Sequence, residues 1–292
     1  MDLIKALRPV NDWADPVEVL HRAHLSVTSD PDDAAVAKLI AEHGIVDAFP
    51  AETVEQIEAS ATIAAMQLAV RSGVTMLIPG DAIYPAGLSD LEAPPVMLWM
   101  RGNDSAVAAL SNFVSLGGSR AATGYGEHLT MEMSAGLVEQ GFTVVSGAGY
   151  GVNGMAHRAA IAGGGITVAF LAGGLDRFYP AGHDSLLHRI VEVGAVLSEV
   201  PCGMQPTKQR FIQRNRIIAA VTQVTVVTEA GFRSGSLNTA EVAAGLGRAV
   251  GAVPGPVTSA ASAGCHKLIA EGIAKLVCNS HEVAMLHPNS TE

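Results

Sequence analysis

Residues Lys208–Glu241 read KQRFIQRNRIIAAVTQVTVVTEAGFRSGSLNTAE. A basic segment comes first, with Lys208, Arg210, Arg214 and Arg216. A Val/Thr-rich run from Val221 to Thr228 follows and has the composition of a strand. The turn Arg233-Ser234-Gly235-Ser236 then opens a helical pattern. No Asp or Glu occurs from Gln205 to Thr228, although the chain carries a net charge of −10. A buried strand that delivers a Ser/Gly turn onto a helix N-terminus is an anion-holding arrangement of α/β proteins. Arg214 and Arg216 are two positions apart on the expected helix, so they cannot share one face. One is expected to face the ligand and the other to pair with an acid such as Glu229.

Working outward, the same strand-then-helix alternation runs from Asn112 to the end. Apolar strands are expected at Phe113–Leu116, Phe142–Val145, Ile166–Leu171, Ala195–Leu197, Val224–Val227 and Ala249–Val253. Helical patterns lie between them at Gly124–Glu139, Asn153–Ala162, Ser185–Val193, Phe211–Val221 and Leu237–Leu246. Strands that alternate with helices of this length predict an α/β fold with a mostly parallel sheet and helices on both faces. Ligands should then collect at the C-terminal ends of the strands. Residues 1–72 read as a small, acidic helical domain, with helices after Asp32-Asp33 and from Thr53 to Arg71. Residues 73–288 form the α/β domain, which Val74–Ile78 opens as a short strand before the extended segment Pro94–Trp99. The tail from Asn289 is expected to fray.

The acidity is unevenly placed. Residues 1–60 hold 12 acids and 4 bases, and residues 61–292 hold 16 acids and 14 bases. The main body is therefore nearly neutral, and a local basic groove is compatible with it. No apolar run is long enough to span a bilayer, and the N-terminus lacks a signal-peptide profile. Three separated cysteines, Cys202, Cys265 and Cys278, show no metal spacing and read as reduced thiols of a cytoplasmic protein. No metal or cofactor is expected, and no membrane association.

Each post-strand loop carries candidate chemistry. Gly117-Gly118-Ser119-Arg120 offers close backbone approach, a hydroxyl and a guanidinium fork to a phosphate. The alternative is a glycine turn with a surface arginine. Gly149-x-Gly151-x-x-Gly154, followed by Asp176, has the form of a dinucleotide fingerprint, but it does not follow the first strand of the α/β block and no hydride-transfer set accompanies it. His157 reads as a packed or capping histidine. Arg177 and Phe178 combine a cation with a ring, which suits a single-stranded nucleic acid, against the alternative that Phe178 plugs the loop into the core. Tyr179-Pro180 reads as structural. Glu199 reads as a carboxylate capping backbone amides rather than a general base. Cys265 and His266 point apart on their helix and are not a nucleophile pair.

Taken in order, GGSR, SGAGYGVNGMAH, LAGGLDRFYP, SEVP, RNRIIAA, EAGFRSGSLNTA and GRAVGAVPG resemble the DNA-processing protein A (DprA/Smf) family over about Ile78 to Ala274. The resemblance implies an extended Rossmann-like domain that binds single-stranded DNA without sequence preference, forms homodimers and loads a RecA-type recombinase in transformation or related recombination. It implies no enzymatic activity. By position it places DNA binding on Gly118, Ser119, Arg120, Arg177, Phe178, Lys208, Arg214, Arg216, Arg233, Ser234, Gly235 and Ser236. The sequence departs from the family pattern at Tyr150 (usually Arg), Asn153 (usually Asp), Asn238 and His266. Tyr150 is expected to replace the lost arginine by stacking. The C-terminal winged helix of many members is not expected here. The competing reading is a nucleotide phosphoribohydrolase of the LOG type, which resembles this fold and uses a PGGxGTxxE loop at the position of Gly231–Glu241, or a nucleotide-binding sensor; the Gly-Thr of that loop is missing here, though a Glu stands nearby at Glu241. A nicotinamide-dependent oxidoreductase fits less well.

Overall fold

The computed structural model describes residues 2–8, 15–49, 56–57, 61–108 and 112–288. Thr53–Glu55 and Glu58–Ser60 of the expected second N-terminal helix, and the tail from Asn289, lie outside the described residues. The N-terminal helices are α1 (Asp2–Leu7), α2 (Pro16–Thr28), α3 (Ala34–His43) and α4 (Ala61–Arg71). Asp15 caps α2 by accepting from the Val17 amide, and Asp33 caps α3 through the Ala35 and Val36 amides.

Among the described residues nine strands make one sheet in the order β1-β2-β6-β5-β4-β3-β7-β8-β9. They are β1 (Thr75–Leu77), β2 (Leu98–Gly102), β3 (Phe113–Gly118), β4 (Thr143–Ser146), β5 (Thr167–Leu171), β6 (Ala195–Ser198), β7 (Val224–Glu229), β8 (Ala249–Ala252) and β9 (Lys275–Leu276). Only β2 runs against its neighbours. The sheet is thus mostly parallel, as expected, with the antiparallel strand β2 starting at Leu98, just after the Pro-rich segment. The remaining helices are α5 (Asp104–Ala108), α6 (Gly124–Glu139), α7 (Val152–Ala162), α8 (Asp184–Val193), α9 (Lys208–Val221), α10 (Gly235–Gly245), α11 (Ala263–Ala270) and α12 (Ser280–Ala284).

β7 shows why the sheet must be covered on both faces, for all six of its residues are buried. Val224 and Val226 pack with Met133 and Leu137 of α6, while Val227 packs with Leu237 and Ala240 of α10 on the other side. Its threonines are paired inside: Ser115 Oγ donates to Thr225 Oγ1 at 3.0 Å, and the Thr130 and Thr228 hydroxyls share a hydrogen bond of 2.7 Å. The N-terminal helices share a core with the β2 side of the sheet, where Leu7, Leu20 and Met66 pack with Trp99, Leu171 and Ile190. A buried ion pair, Arg8 with Asp81 at 2.6 Å, ties α1 to the turn after β1. Among the described residues no helix is long and apolar enough to cross a membrane.

The strand order places the site. The chain steps from β3 through β4 and β5 to β6 in one direction, α9 then carries it back, and β7 lands on the far side of β3. The loops after β3 and β7 therefore diverge at a topological switch point, where open α/β sheets bind ligands.

Candidate nucleic-acid interface

A cleft of about 800 Å³ opens at that point. The loop after β3 supplies Gly118, Ser119 and Arg120, the start of α9 supplies Lys208, and the loop after β7 supplies Arg233, Ser234, Gly235 and Ser236. Arg214 lies at the inner end. No Asp or Glu lines the cleft among the described residues. None of Arg120, Lys208, Arg214 and Arg233 forms an ion pair with a described carboxylate. The first turns of α7, α9 and α10 all reach the cleft, through Asn153, Lys208 and Gly235–Ser236. Their dipoles add positive potential to that of the four side chains.

Arg214 is the unusual group. It is 7% exposed, and its Nη1 donates to the carbonyl oxygens of Gly147 (3.0 Å) and Phe170. Those bonds satisfy donors but leave the charge unneutralised. Burial, followed by repulsion from Arg120, pulls its pKa from 12.5 down to about 10. A Cβ on residue 147 would collide with the guanidinium, so glycine there is a requirement of this approach. The Phe211 ring stands beside two guanidinium groups: Arg214 Cζ lies 5.8 Å and Arg120 Cζ 4.7 Å from the ring centroid. Tyr179, about half exposed, meets the same ring edge-on at 6.0 Å.

Glu229, Asn215 and the Ser234 cap hold the walls in place. Glu229, buried at the end of β7, accepts from the Thr123 amide at 2.8 Å and the Thr123 hydroxyl at 2.5 Å, while its carbonyl accepts from the Ser119 amide at 2.7 Å. The Gly118–Thr123 loop is thereby stapled to β7. Asn215 Nδ2 donates to the Gly235 carbonyl at 3.1 Å and links α9 to α10. Ser234 caps α10, and its hydroxyl also lies 2.8 Å from that of Ser236.

Three expected contacts are not brought together with the rest. Arg216 points away from the cleft, and its Nη2 donates to both carboxylate oxygens of Glu199 at 2.8 and 2.9 Å. Its partner is thus Glu199, not Glu229, and Glu199 pairs with a cation instead of capping amides. Phe178 is 6% exposed, with its ring between Arg101 (5.2 Å) and His188 (5.1 Å). Arg177 is exposed but does not line the cleft. In the short segment after β5 neighbouring side chains alternate, so burial of Phe178 directs Tyr179 outward into the cleft. Of the two readings of Phe178, the structure shows the one in which it plugs the loop into the core, while Tyr179, read as structural, lines the cleft.

The dinucleotide-like loop resolves into structure. Asp176 Oδ1 accepts from the Gly203 amide at 2.8 Å and lies outside the cleft. Gly151 adopts φ +67° against the backbone of Ser119 and Arg120, while Asn153 alone of the departures in that loop lines the cleft. Tyr150 instead packs edge-on against His183 at 4.8 Å, away from the cleft. His157 is fully buried beside Thr167 at 2.7 Å. Because the Thr167 hydroxyl donates to the Val144 carbonyl, the histidine Nδ1–H donates to Thr167. The Cys265 Sγ faces the Val227 carbonyl in the core, whereas the His266 ring lies against Gly255, so the two are not a catalytic pair.

A family model for DNA recombination-mediator protein A matches residues 75–287. The chain belongs to this family. It is 46% identical over 229 residues to the DprA-named protein of Mycobacterium tuberculosis H37Rv, covering 75% of this chain and 59% of that protein. It therefore spans about three-fifths of the length of the mycobacterial relative. It is 42% identical to the DNA processing protein DprA of Streptococcus pneumoniae R6 over 205 residues, covering 70% and 71% of the two chains. The solved structure of the S. pneumoniae protein superposes with a TM-score of 0.76 at 31% identity, over 93% of this chain and 98% of that one. DNA processing protein A of Helicobacter pylori, described for its single-stranded DNA binding mode, superposes with a TM-score of 0.65 at 26% identity over 72% and 93% of the chains. The DprA/Smf resemblance and the extended Rossmann-like fold read from the sequence are those of its relatives.

Proposed function

We propose that the cleft binds single-stranded DNA, holding phosphates on Arg120, Lys208, Arg214, Arg233 and the Ser234–Ser236 turn while bases stack on Phe211 and Tyr179. One observation carries the reading: Arg214 is a buried guanidinium without a carboxylate among the described residues, beside an aromatic ring in an acid-free cleft. An isolated buried charge is costly, and such a site is completed by an anion. Rings beside the cations favour a strand whose bases are unstacked, for a duplex offers no free base faces. The contacts are with phosphates and ring faces, so binding is expected to be insensitive to sequence.

Membership of a recombination-mediator family supports the further reading that the bound strand is passed to a RecA-type recombinase in the cytoplasm. The same family membership supports a homodimer. The phosphoribohydrolase alternative is less well supported, because Glu241 does not line the cleft and lies 3.6 Å from Lys267. We therefore assign binding, not catalysis. The test is a mobility shift with single-stranded and duplex DNA over a salt series, using the wild type and Arg120→Ala. Preferential, salt-sensitive binding of the single strand that weakens in Arg120→Ala is expected. Salt-independent binding, or equal binding by the variant, would overturn the reading, and release of base from a nucleoside monophosphate would favour the hydrolase.

A further inference from the structure

The turn that carries Arg233 also carries a ring that the cleft does not use. The Ser234 amide donates to the Gly231 carbonyl at 3.0 Å, which closes a tight turn with Phe232 and Arg233 at its tip. Arg233 lines the cleft, whereas Phe232 lies outside it and is 69% exposed. The turn is firmly seated. The Gly264 amide, at the start of α11, donates to the Ala230 carbonyl at 2.7 Å. A Cβ at Gly264 would stand 2.7 Å from the carbonyl oxygens of both Ala230 and Gly231, so α11 packs directly on this backbone. The neighbouring turn, closed by the Ser259 amide on the Pro256 carbonyl at 2.9 Å, carries Val257 at 89% exposure. The two loops touch where Gly231 faces the Ala260 carbonyl. An aromatic ring is thus held out to solvent on a fixed turn, next to a cation that faces the cleft.

We propose that Phe232 is a base-stacking platform for the nucleotide adjoining those held in the cleft, so that the strand continues over the turn after β7. This rests on the single-strand reading above. Neighbouring residues at a turn tip point apart, so Arg233 can hold a phosphate inside the cleft while the next base leaves it and meets the Phe232 ring. A ring face accepts any base, which matches sequence-tolerant binding. The occupant is a base and not an apolar protein surface, because the platform is continuous with an acid-free cationic cleft and shares its turn with one of the cations.

The inference is tested by fluorescence anisotropy with labelled dT12 and with a strand of the same length whose sugars lack bases. Phe232→Ala should weaken dT12 binding roughly ten-fold, within the range for loss of one stacked base, while binding the abasic strand as the wild type does. Phe232→Trp should retain the wild-type affinity and show an added tryptophan emission that dT12 quenches. Equal affinity of Phe232→Ala and wild type for dT12 would overturn the proposal, as would an equal loss on both strands. A change of oligomeric state in Phe232→Ala with DNA binding intact would also overturn it, and would assign the ring to a second copy. Failure of the wild type to bind dT12 at all would instead remove the single-strand reading on which the proposal stands.

Discussion

Replacing Arg214 with methionine should separate affinity from stability. In most proteins, removing a buried, paired arginine costs about 3–5 kcal/mol because its carboxylate is left behind. Arg214 has no such partner. Its pKa falls from 12.5 to about 10, chiefly through burial. At about 1.4 kcal/mol per pKa unit, that displacement penalises the empty folded protein by about 3 kcal/mol. The charged form bears the penalty, so it is present in full at neutral pH and is relieved only as pH rises through the folded pKa. Arg214→Met removes this penalty. It also removes the two hydrogen bonds to the Gly147 and Phe170 carbonyls, which at about 1.5–3 kcal/mol each contribute about 3–6 kcal/mol. The two effects partly cancel, and stability in urea should fall by no more than about 3 kcal/mol. Affinity should not be spared. Loss of a charge-assisted hydrogen bond to phosphate, about 1.5–3 kcal/mol, is a ten- to hundred-fold loss. The salt dependence of oligo-dT binding should fall by about 0.7 in its log–log slope, the share of one single-strand phosphate. Urea titration and anisotropy on the same preparation check both halves. A variant destabilised by about 5 kcal/mol or more, or one that binds oligo-dT with the wild-type affinity and slope, would refute the reasoning.

Gly147→Ala introduces a methyl group against the Arg214 guanidinium without altering charge; it should displace the arginine, cost about 1–3 kcal/mol in denaturation and weaken oligo-dT at least ten-fold by anisotropy. Arg216→Met leaves Glu199 buried and unpaired, so it should cost about 3–5 kcal/mol, much of it recovered in the double variant with Glu199→Gln. Neither Arg216 variant should change oligo-dT affinity more than about two-fold. His157 is held neutral by burial, its pKa pushed down to about 3. The unfolded chain takes up that proton below about pH 6.5, so stability should fall from there towards pH 3 by up to about 1.4 kcal/mol per pH unit. Urea midpoints measured across this range should show a shallower acid decline in His157→Gln.

The parallel sheet was legible because its strands are fully buried. Runs such as Val224–Val227 and Thr167–Leu171 admit few polar residues, and glycines or polar turns mark their ends. The antiparallel direction of β2 was not legible, for it depends on where Leu98–Gly102 docks, and its local pattern is that of any extended segment. At the site, the glycine- and serine-rich loops could be placed at the strand ends by topology alone. Which side chains enter the cleft is set by packing, and here the sequence divided unevenly. Helix geometry correctly separated Arg214 from Arg216. The same geometry could have identified Phe211, which lies three residues before Arg214 and so on the same face. Phe178 stayed open between ligand and core, because adjacent aromatic residues in a loop look alike until the core selects one. Glu229 was read as a partner for arginine, yet its neighbours are Thr123 and the backbone, contacts more than a hundred positions distant that no local pattern encodes.

The central claim is that an anion of single-stranded DNA completes the charge of Arg214. A crystal structure of the protein with a short oligo-dT tests it most directly. A backbone phosphate should lie within hydrogen-bonding distance of the Arg214 guanidinium, with a base stacked on Phe211. A bound strand that places no phosphate against Arg214, in the cleft or elsewhere on the molecule, would contradict it.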